Sequence, residues 1–381
     1  MSCLLKLNFE RVKVVSFVVS VIFVSSCGGS GGTSIDNAPT LQELGKKIFF
    51  DESLSSSSNQ SCATCHDPLS GFADPDVDSD SPVSEGSEAD SFGNRNAPTA
   101  AYASFIPAFT QESHTTPAPD NTVSNYKGGQ FVDGRRDDLV AQAKDPFLNP
   151  VEMNNADTAE VVAKVQAASY ANDFIAIFGS GAFDNIDTAY DNIATAIAAF
   201  EASDEVNAFS SKFDDVMAGT ASFTASEQRG FDLFKGDAKC ANCHTIPETG
   251  PVLFTNHRYY NIGTPSNSMN PAVLADSGFI DNGVGGNETV TNAGDAATEA
   301  GKFRTPTLRN IELTAPYMHN GVFQTLDLVI THYDLKMQFA IAEVDSNIAK
   351  EVAFDDDTSL GLSETDKTDL VNFMKSLTDQ Q

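Results

Sequence analysis

The chain of 381 residues contains no tryptophan, so an indole is excluded from every role in it. Basic residues are scarce as well: 23 Lys and Arg stand against 53 Asp and Glu, a formal net charge of −30. A surface of that sign repels nucleic-acid phosphates and anionic membranes, which excludes nucleic-acid binding. It leaves two readings, solubility in salty surroundings or steering of a basic partner. No apolar run approaches the roughly 20 residues of a membrane-spanning helix. Cysteine and histidine are few, six of each, so whatever chemistry they carry is confined to a handful of positions. What is present is a globular composition, 41% hydrophobic and 9% aromatic, long enough for two modest domains with their own cores.

At the N-terminus Lys6, Arg11 and Lys13 precede a short apolar stretch from Val14 to Val24, then Ser25, Ser26, Cys27, Gly28 and Gly29. A basic start, a core too short to span and small residues before a cleavage point make an export signal. Small residues directly before Cys27 resemble a bacterial lipoprotein signal, in which the cysteine becomes the acylated first residue; the alternative is a plain secretory signal with a chance cysteine. The expectation is a signal peptide over 1–26 and a Gly- and Ser-rich tether over 27–39. The mature chain would then sit on the periplasmic side, held at the inner or outer membrane only by its lipid.

Six cysteines in an exported protein first suggest disulfides, but their positions argue otherwise. With Cys3 in the signal and Cys27 at its end, the remaining four form two strings, Cys62-Ala63-Thr64-Cys65-His66 and Cys240-Ala241-Asn242-Cys243-His244. Two thiols one helical turn apart can form thioethers with the two vinyl groups of one haem. The histidine that follows then lies under the iron as an axial ligand. A zinc ribbon needs its cysteine pairs roughly 15–20 residues apart, and these are separated by almost half the chain. Two covalently bound c-type haems are expected.

Around these strings the pattern is helical and loop-rich. Leu41 to Phe50 reads as an amphipathic helix feeding a Ser-rich turn, and Asp74 to Asp90 as an exposed acidic loop. Helical spacing recurs over Leu139 to Lys144, Ala159 to Ala168 and Ile186 to Phe200. Ser203 to Thr224 reads as the passage between halves, and a helix around Ser226 to Phe234 precedes the second string. Thr264 to Ala300 reads as loop. Ser363, with Asp366 three residues on, predicts a capped final helix that buries Leu370, Phe373, Met374 and Leu377. The expected fold is mainly α, with two cytochrome-c-like haem domains carrying long loops, over 40–215 and 216–381.

Several further strings stand in a fixed order: LGKKIFFDESLS, NRNAPT, FVDGR, LNPVEM and FRTPTLRNIELTAPYMHNG. With the two haem strings they resemble the bacterial di-haem cytochrome c peroxidase family, which also includes the MauG-type enzymes of methylamine utilisation. The resemblance runs from about Leu41 to Thr378. It implies that the first haem, on His66, is the peroxidatic centre, with Glu152 of LNPVEM and Gln142 as the distal acid–base and hydrogen-bonding residues. Family members often carry a second histidine ligand before NRNAPT; no histidine occurs between His66 and His114, which implies an iron open to hydrogen peroxide. His114, in a Thr- and Pro-rich loop, is the one substitute. Of Arg135 and Arg136, one would pair with a haem propionate unless both are solvated.

For the second haem, on His244, the family places its other ligand fourteen residues beyond the histidine of APYMHNG. That position is Tyr333, as in the MauG group, where peroxidases carry Met; His332, Met318 and Met337 compete. A thioether raises a haem potential, whereas an anionic phenolate stabilises higher oxidation states. Val132 stands where the family usually has a tryptophan relay. The resemblance also implies one calcium ion, held by Asn96 and the carbonyls of Thr314 and Pro316.

Three functions fit these residues. One is a peroxidase taking electrons from a small c-type cytochrome or other redox donor. The second is a MauG-like enzyme that uses peroxide to oxidise side chains of a partner protein. The third is a non-enzymatic electron carrier.

Overall fold

In a computed structural model, the chain divides into two compact units, Met1–Ala38 and Pro39–Gln381. The structure describes residues 38–112, 124, 126–335, 343 and 359–380, so the expectations for the signal, Cys27, His114 and Met337 lie outside the described residues.

The second unit begins with α1 (Leu41–Phe49), started by a reciprocal cap in which Thr40 and Glu43 each bond the other's backbone N–H. A short α2 (Cys62–Cys65) carries the first haem string. Two-residue strands β1 (Thr110–Gln111) and β2 (Tyr126–Lys127) pair antiparallel. Then come α3 (Leu139–Leu148), α4 (Thr158–Ala167), α5 (Ala171–Phe178) and α6 (Ile186–Glu201). The first hydrophobic core gathers buried residues from Leu44 to Val206, with Leu253 added from further on. Tyr190, Ile193, Ile197 and Phe200 of α6 lie inside it, as their spacing predicts.

α7 (Lys212–Met217) and α8 (Ala225–Lys235) lead to a single turn of 3-10 helix over Cys240–Asn242, the second haem string. Strands β3 (Tyr259–Tyr260) and β4 (Phe303–Arg304) pair antiparallel. Between them lie the short α9 (Pro271–Ala275), α10 (Glu288–Ala293) and α11 (Ala296–Glu299). The chain ends with α12 (Leu326–Asp334) and α13 (Glu364–Lys375), the latter capped by Ser363 and Asp366. A second core runs from Phe213 to Leu377 and includes Leu370, Phe373 and Met374. α1 packs on α6, and α8 on α13.

The fold is mainly α, as expected, with three local corrections. α3 does not stop at Lys144 but continues through Pro146 to Leu148. Its last carbonyls find partners in the loop beyond: Met153 N–H donates to Pro146 O (3.1 Å) and Asn155 Nδ2 to Phe147 O (2.8 Å). The acidic stretch 74–90 is not simply exposed, because Asp74, Val83 and Ser87 are buried. Gln60 Nε2 bonds Glu85 O (2.8 Å) and Asn59 Nδ2 bonds Ser87 O (3.1 Å), which folds this stretch against the first haem string. Segment 264–300 holds the three short helices named above; the Asn and Gly residues that suggested loop serve as their caps, Asn270 and Asn287 at N-termini and Gly294 at a C-terminus. Among the described residues no helix is long and apolar enough to cross a membrane.

Candidate haem sites

The two cysteine strings are built alike. At the first, Ser61 and Thr64 cap the turn, and His66 N–H donates to Cys62 O (2.9 Å). At the second, His244 N–H donates to Cys240 O at 2.9 Å. All four thiols are unpaired and part-buried. Each imidazole is aimed by its backbone: His66 Nδ1 bonds Phe72 O (3.1 Å) and His244 Nδ1 bonds Phe254 O (2.7 Å). A carbonyl only accepts, so Nδ1 carries the hydrogen and Nε2 keeps the lone pair a metal requires. Burial favours that neutral form, lowering the His66 pKa and pushing His244 down to about 4. Thiols one turn apart with a neutral, oriented imidazole directly after them fit a covalently bound haem at each site.

The two residues expected on the distal side, Gln142 and Glu152, come from α3 and the loop after it. Gln142 lies half-buried on the helix, and Glu152 lies in the loop that folds back to close its C-terminus. The Glu152 carboxylate accepts from Asn149 Nδ2 (2.7 Å). Desolvation raises its pKa above the ordinary glutamate range, opposed by the nearby Arg135 charge and the Asn149 bond. Its own charge is felt at both Cys62 and Cys65, which places it beside the first string. Arg135 is exposed. It bonds both Asp133 oxygens (3.0 Å) and lies over the Phe131 ring at 3.4 Å, while Arg136 forks onto Asp145 (2.8–3.0 Å). Both arginines pair with protein carboxylates.

At the second site Tyr333 stands on α12, within electrostatic reach of Cys240 and Cys243 and raised by burial. Its competitor His332 is fully buried, with Nε2 held by Ile262 O (3.0 Å). Met318, another competitor, sits at a left-handed backbone position with φ +71°. At the position of the family's tryptophan, Val132 O accepts from Arg304 N–H (2.9 Å), and the buried Arg304 guanidinium donates to Phe131 O (3.0 and 3.1 Å). Asn96 is buried, its amide donating to Pro82 O (3.1 Å) and its backbone to His319 O (2.8 Å). A Cβ on Gly321 would meet both Pro82 O (2.6 Å) and Pro316 Cγ (3.3 Å), so Asn96 and Pro316 gather around the same Pro82 turn. The Thr314 methyl lies against Gly71. Among the described residues no three His, Cys, Asp or Glu side chains converge on a metal position, so a cation there would be held by amide and carbonyl oxygens.

Two residues beside the strings carried no sequence signal. Glu201, the last residue of α6, is enclosed, and its charge is felt at Cys62; Oε2 has no partner among the described residues, and burial pushes the carboxyl up to about 8. Tyr260 bonds Cys243 and accepts from Asn256 Nδ2 (2.8 Å). Neither stands in a motif, and only the folded chain brings them in.

Comparison with known proteins agrees with this geometry. The family model for di-haem cytochrome c peroxidase matches residues 39–222. The methylamine utilization protein MauG of Paracoccus denitrificans is 40% identical over 300 residues, 77% of this chain and 74% of that protein. The chain belongs to the di-haem cytochrome c peroxidase family. Cytochrome c551 peroxidase of Nitrosomonas europaea is 34% identical over 293 residues, covering 76% of this chain and 71% of that one. The crystal structure of the di-haem peroxidase BthA from Burkholderia thailandensis superposes with a TM-score of 0.78 at 29% identity, covering 90% and 86% of the two chains. Family membership makes this protein a haem-dependent oxidoreductase of the peroxidase type, with two haems.

Proposed function

We propose that the protein reduces hydrogen peroxide to water at the His66 site, with electrons supplied by a small c-type cytochrome or similar redox protein through the His244 site. Bound haem iron supplies the redox chemistry; the chain supplies position and protons. His66, aimed by Phe72 O, presents a neutral imidazole. Gln142 holds the peroxide by a hydrogen bond, and Glu152 takes the proton from one peroxide oxygen and returns it to the other as that oxygen leaves. With two electrons and two protons, both oxygens depart as water. The observation that carries this reading is the Glu152 carboxyl, half-buried, raised by desolvation and near enough to both thiols of the first string for its charge to be felt there. The carrier reading leaves that residue without a task.

A base must be ionised to act, so peroxide turnover should rise with pH through a limb placed above the ordinary glutamate range. Glu152→Gln should lower kcat/KM for peroxide by about 100-fold or more and abolish that limb. A variant within twofold of the parent, with the limb intact, refutes the assignment.

Tyr333 supports a second reading, in which peroxide oxidises side chains of a partner protein, as its place within electrostatic reach of Cys240 and Cys243 suits a ligand to the second haem. Slow turnover with cytochrome and a long-lived oxidised state favour that reading; steady turnover favours the first.

Three further proposals concern the setting. The chain is exported and lipid-anchored through Cys27, which the mass of the mature protein checks. One calcium ion binds near Asn96, Thr314 and Pro316, which metal analysis of the purified protein checks. The charge of −30 steers a basic donor, so its association should slow as salt is added.

A further inference from the structure

Between the end of α1 and the start of α5 opens a cleft of about 470 Å³, lined in part by Lys47, Phe50, Asp51, Ser53 and Tyr170. That volume suits a small molecule and not a protein side. On its inner wall Tyr170 is only 7% exposed, and its phenol donates to Asp51 Oδ2 at 2.5 Å. The other Asp51 oxygen is held by Ser53 N–H (3.0 Å) and Oγ (2.6 Å), so the carboxylate is fixed facing the phenol. On the outer wall the Phe50 ring is 42% exposed.

Both walls lead inward to the first haem string. Tyr170 belongs to the core against which Cys62 and Ala63 pack, and the charge of Cys62 is felt at its phenol. Phe50 stands 5.5 Å from Phe49, Phe49 6.5 Å from Phe72, and the Phe72 carbonyl holds His66 Nδ1. A surface cleft is thus joined to the first site through a tyrosine with a built-in proton acceptor.

We propose that Tyr170 is a redox relay and that the cleft takes a small neutral phenol as reductant, a second electron source beside a protein donor. The inference rests on the peroxidase reading. Once peroxide has drawn electrons from the first site, Tyr170 returns one, and its phenolic proton moves to Asp51 Oδ2. A phenol lying on the Phe50 ring then loses one electron to the Tyr170 radical and releases its own proton to water, and Asp51 gives the held proton back to the Tyr170 oxygen. Two such turns convert one hydrogen peroxide and two phenols into two waters and two phenoxyl radicals. A neutral phenol meets no repulsion from a strongly acidic chain, whereas an anionic reductant does.

Among the described residues, buried Tyr126 also donates to a carboxylate, Asp295 (2.8 Å), and so does buried Tyr102, to Asp379 at 2.6 Å. The Arg309 guanidinium lies over its ring at 5.6 Å, and a cation there opposes removal of an electron from the ring. It serves as the control.

The test mixes the two-haem protein with one equivalent of hydrogen peroxide, freezes it within milliseconds and reads tyrosyl radical by electron paramagnetic resonance. The haem spectrum before mixing confirms that each variant is loaded. The expected result is a signal in the parent, at least tenfold weaker in Tyr170→Phe, retained in Tyr102→Phe, and discharged by hydroquinone. An undiminished signal in Tyr170→Phe, or one lost in Tyr102→Phe instead, overturns the proposal. So does a parent whose Soret band responds to peroxide without any tyrosyl signal. A Soret band that ignores peroxide defeats the peroxidase reading first, and this inference with it.

Discussion

Two carboxyl groups flank the first haem string, and their surroundings assign them different tasks. Glu152 is raised by desolvation, while Arg135 and Asn149 oppose the shift. Glu201 has only burial acting on it and is pushed up to about 8. In the folded chain it is therefore protonated at pH 7, whereas the unfolded chain holds it near the ordinary 4.5 and ionised. The folded state binds the extra proton between those two values, so stability is greatest below about pH 4.5 and falls as pH rises toward 8. The slope reaches at most about 1.4 kcal/mol per pH unit. Glu201→Gln removes it: denaturation of the two-haem protein at pH 5 and pH 8 should show a flatter dependence in the variant. Equal dependence in both contradicts the buried, unpaired state of this carboxyl.

The helices repeat one device. The helix ahead of each haem string crosses the closing helix of its half at a glycine. A Cβ on Gly45 of α1 would lie 1.8 Å from Ala196 O on α6, and one on Gly230 of α8 would lie 2.0 Å from Asp369 O on α13. Backbones that close leave no room for a methyl group. Gly45→Ala or Gly230→Ala should each cost about 1–3 kcal/mol in urea unfolding, with reduced haem content; a loss below about 0.5 kcal/mol in both denies that these crossings set the fold. These elements were also the legible ones. Leu41–Phe49 and Glu364–Lys375 announce themselves by apolar period and cap residues, and the haem strings by spacing, because each signal lies within a few residues of chain. What stayed hidden is non-local. The Tyr170–Asp51 bond joins residues 119 apart, and the Arg304–Phe131 bond joins residues 173 apart. The helices in 264–300 were obscured because their caps are the same Asn and Gly residues that mark loops.

Across the molecule, two arginines tie segments far apart in the chain. Arg309, 1% exposed, forks onto Asp214 (2.5 and 2.8 Å) and lies over the rings of Phe209 (4.9 Å) from the first core's edge and Phe254 (5.8 Å) from the second. Arg95 joins Asp133 (2.6 Å) to Asp281 (2.6 and 2.7 Å). Partners this buried and forked hold their segments in one geometry, which suits electron exchange between two fixed sites without a tryptophan between them. With no histidine from 67 to 113, the account requires that the iron on His66 have an open position beside Glu152 before any electron is supplied. Stopped-flow optical spectroscopy of the fully oxidised protein with one equivalent of hydrogen peroxide tests this most directly. The expected result is a resting spectrum of one high-spin and one low-spin haem that changes at once on mixing. Two low-spin haems, silent toward peroxide until the protein has been reduced by one electron, would contradict it.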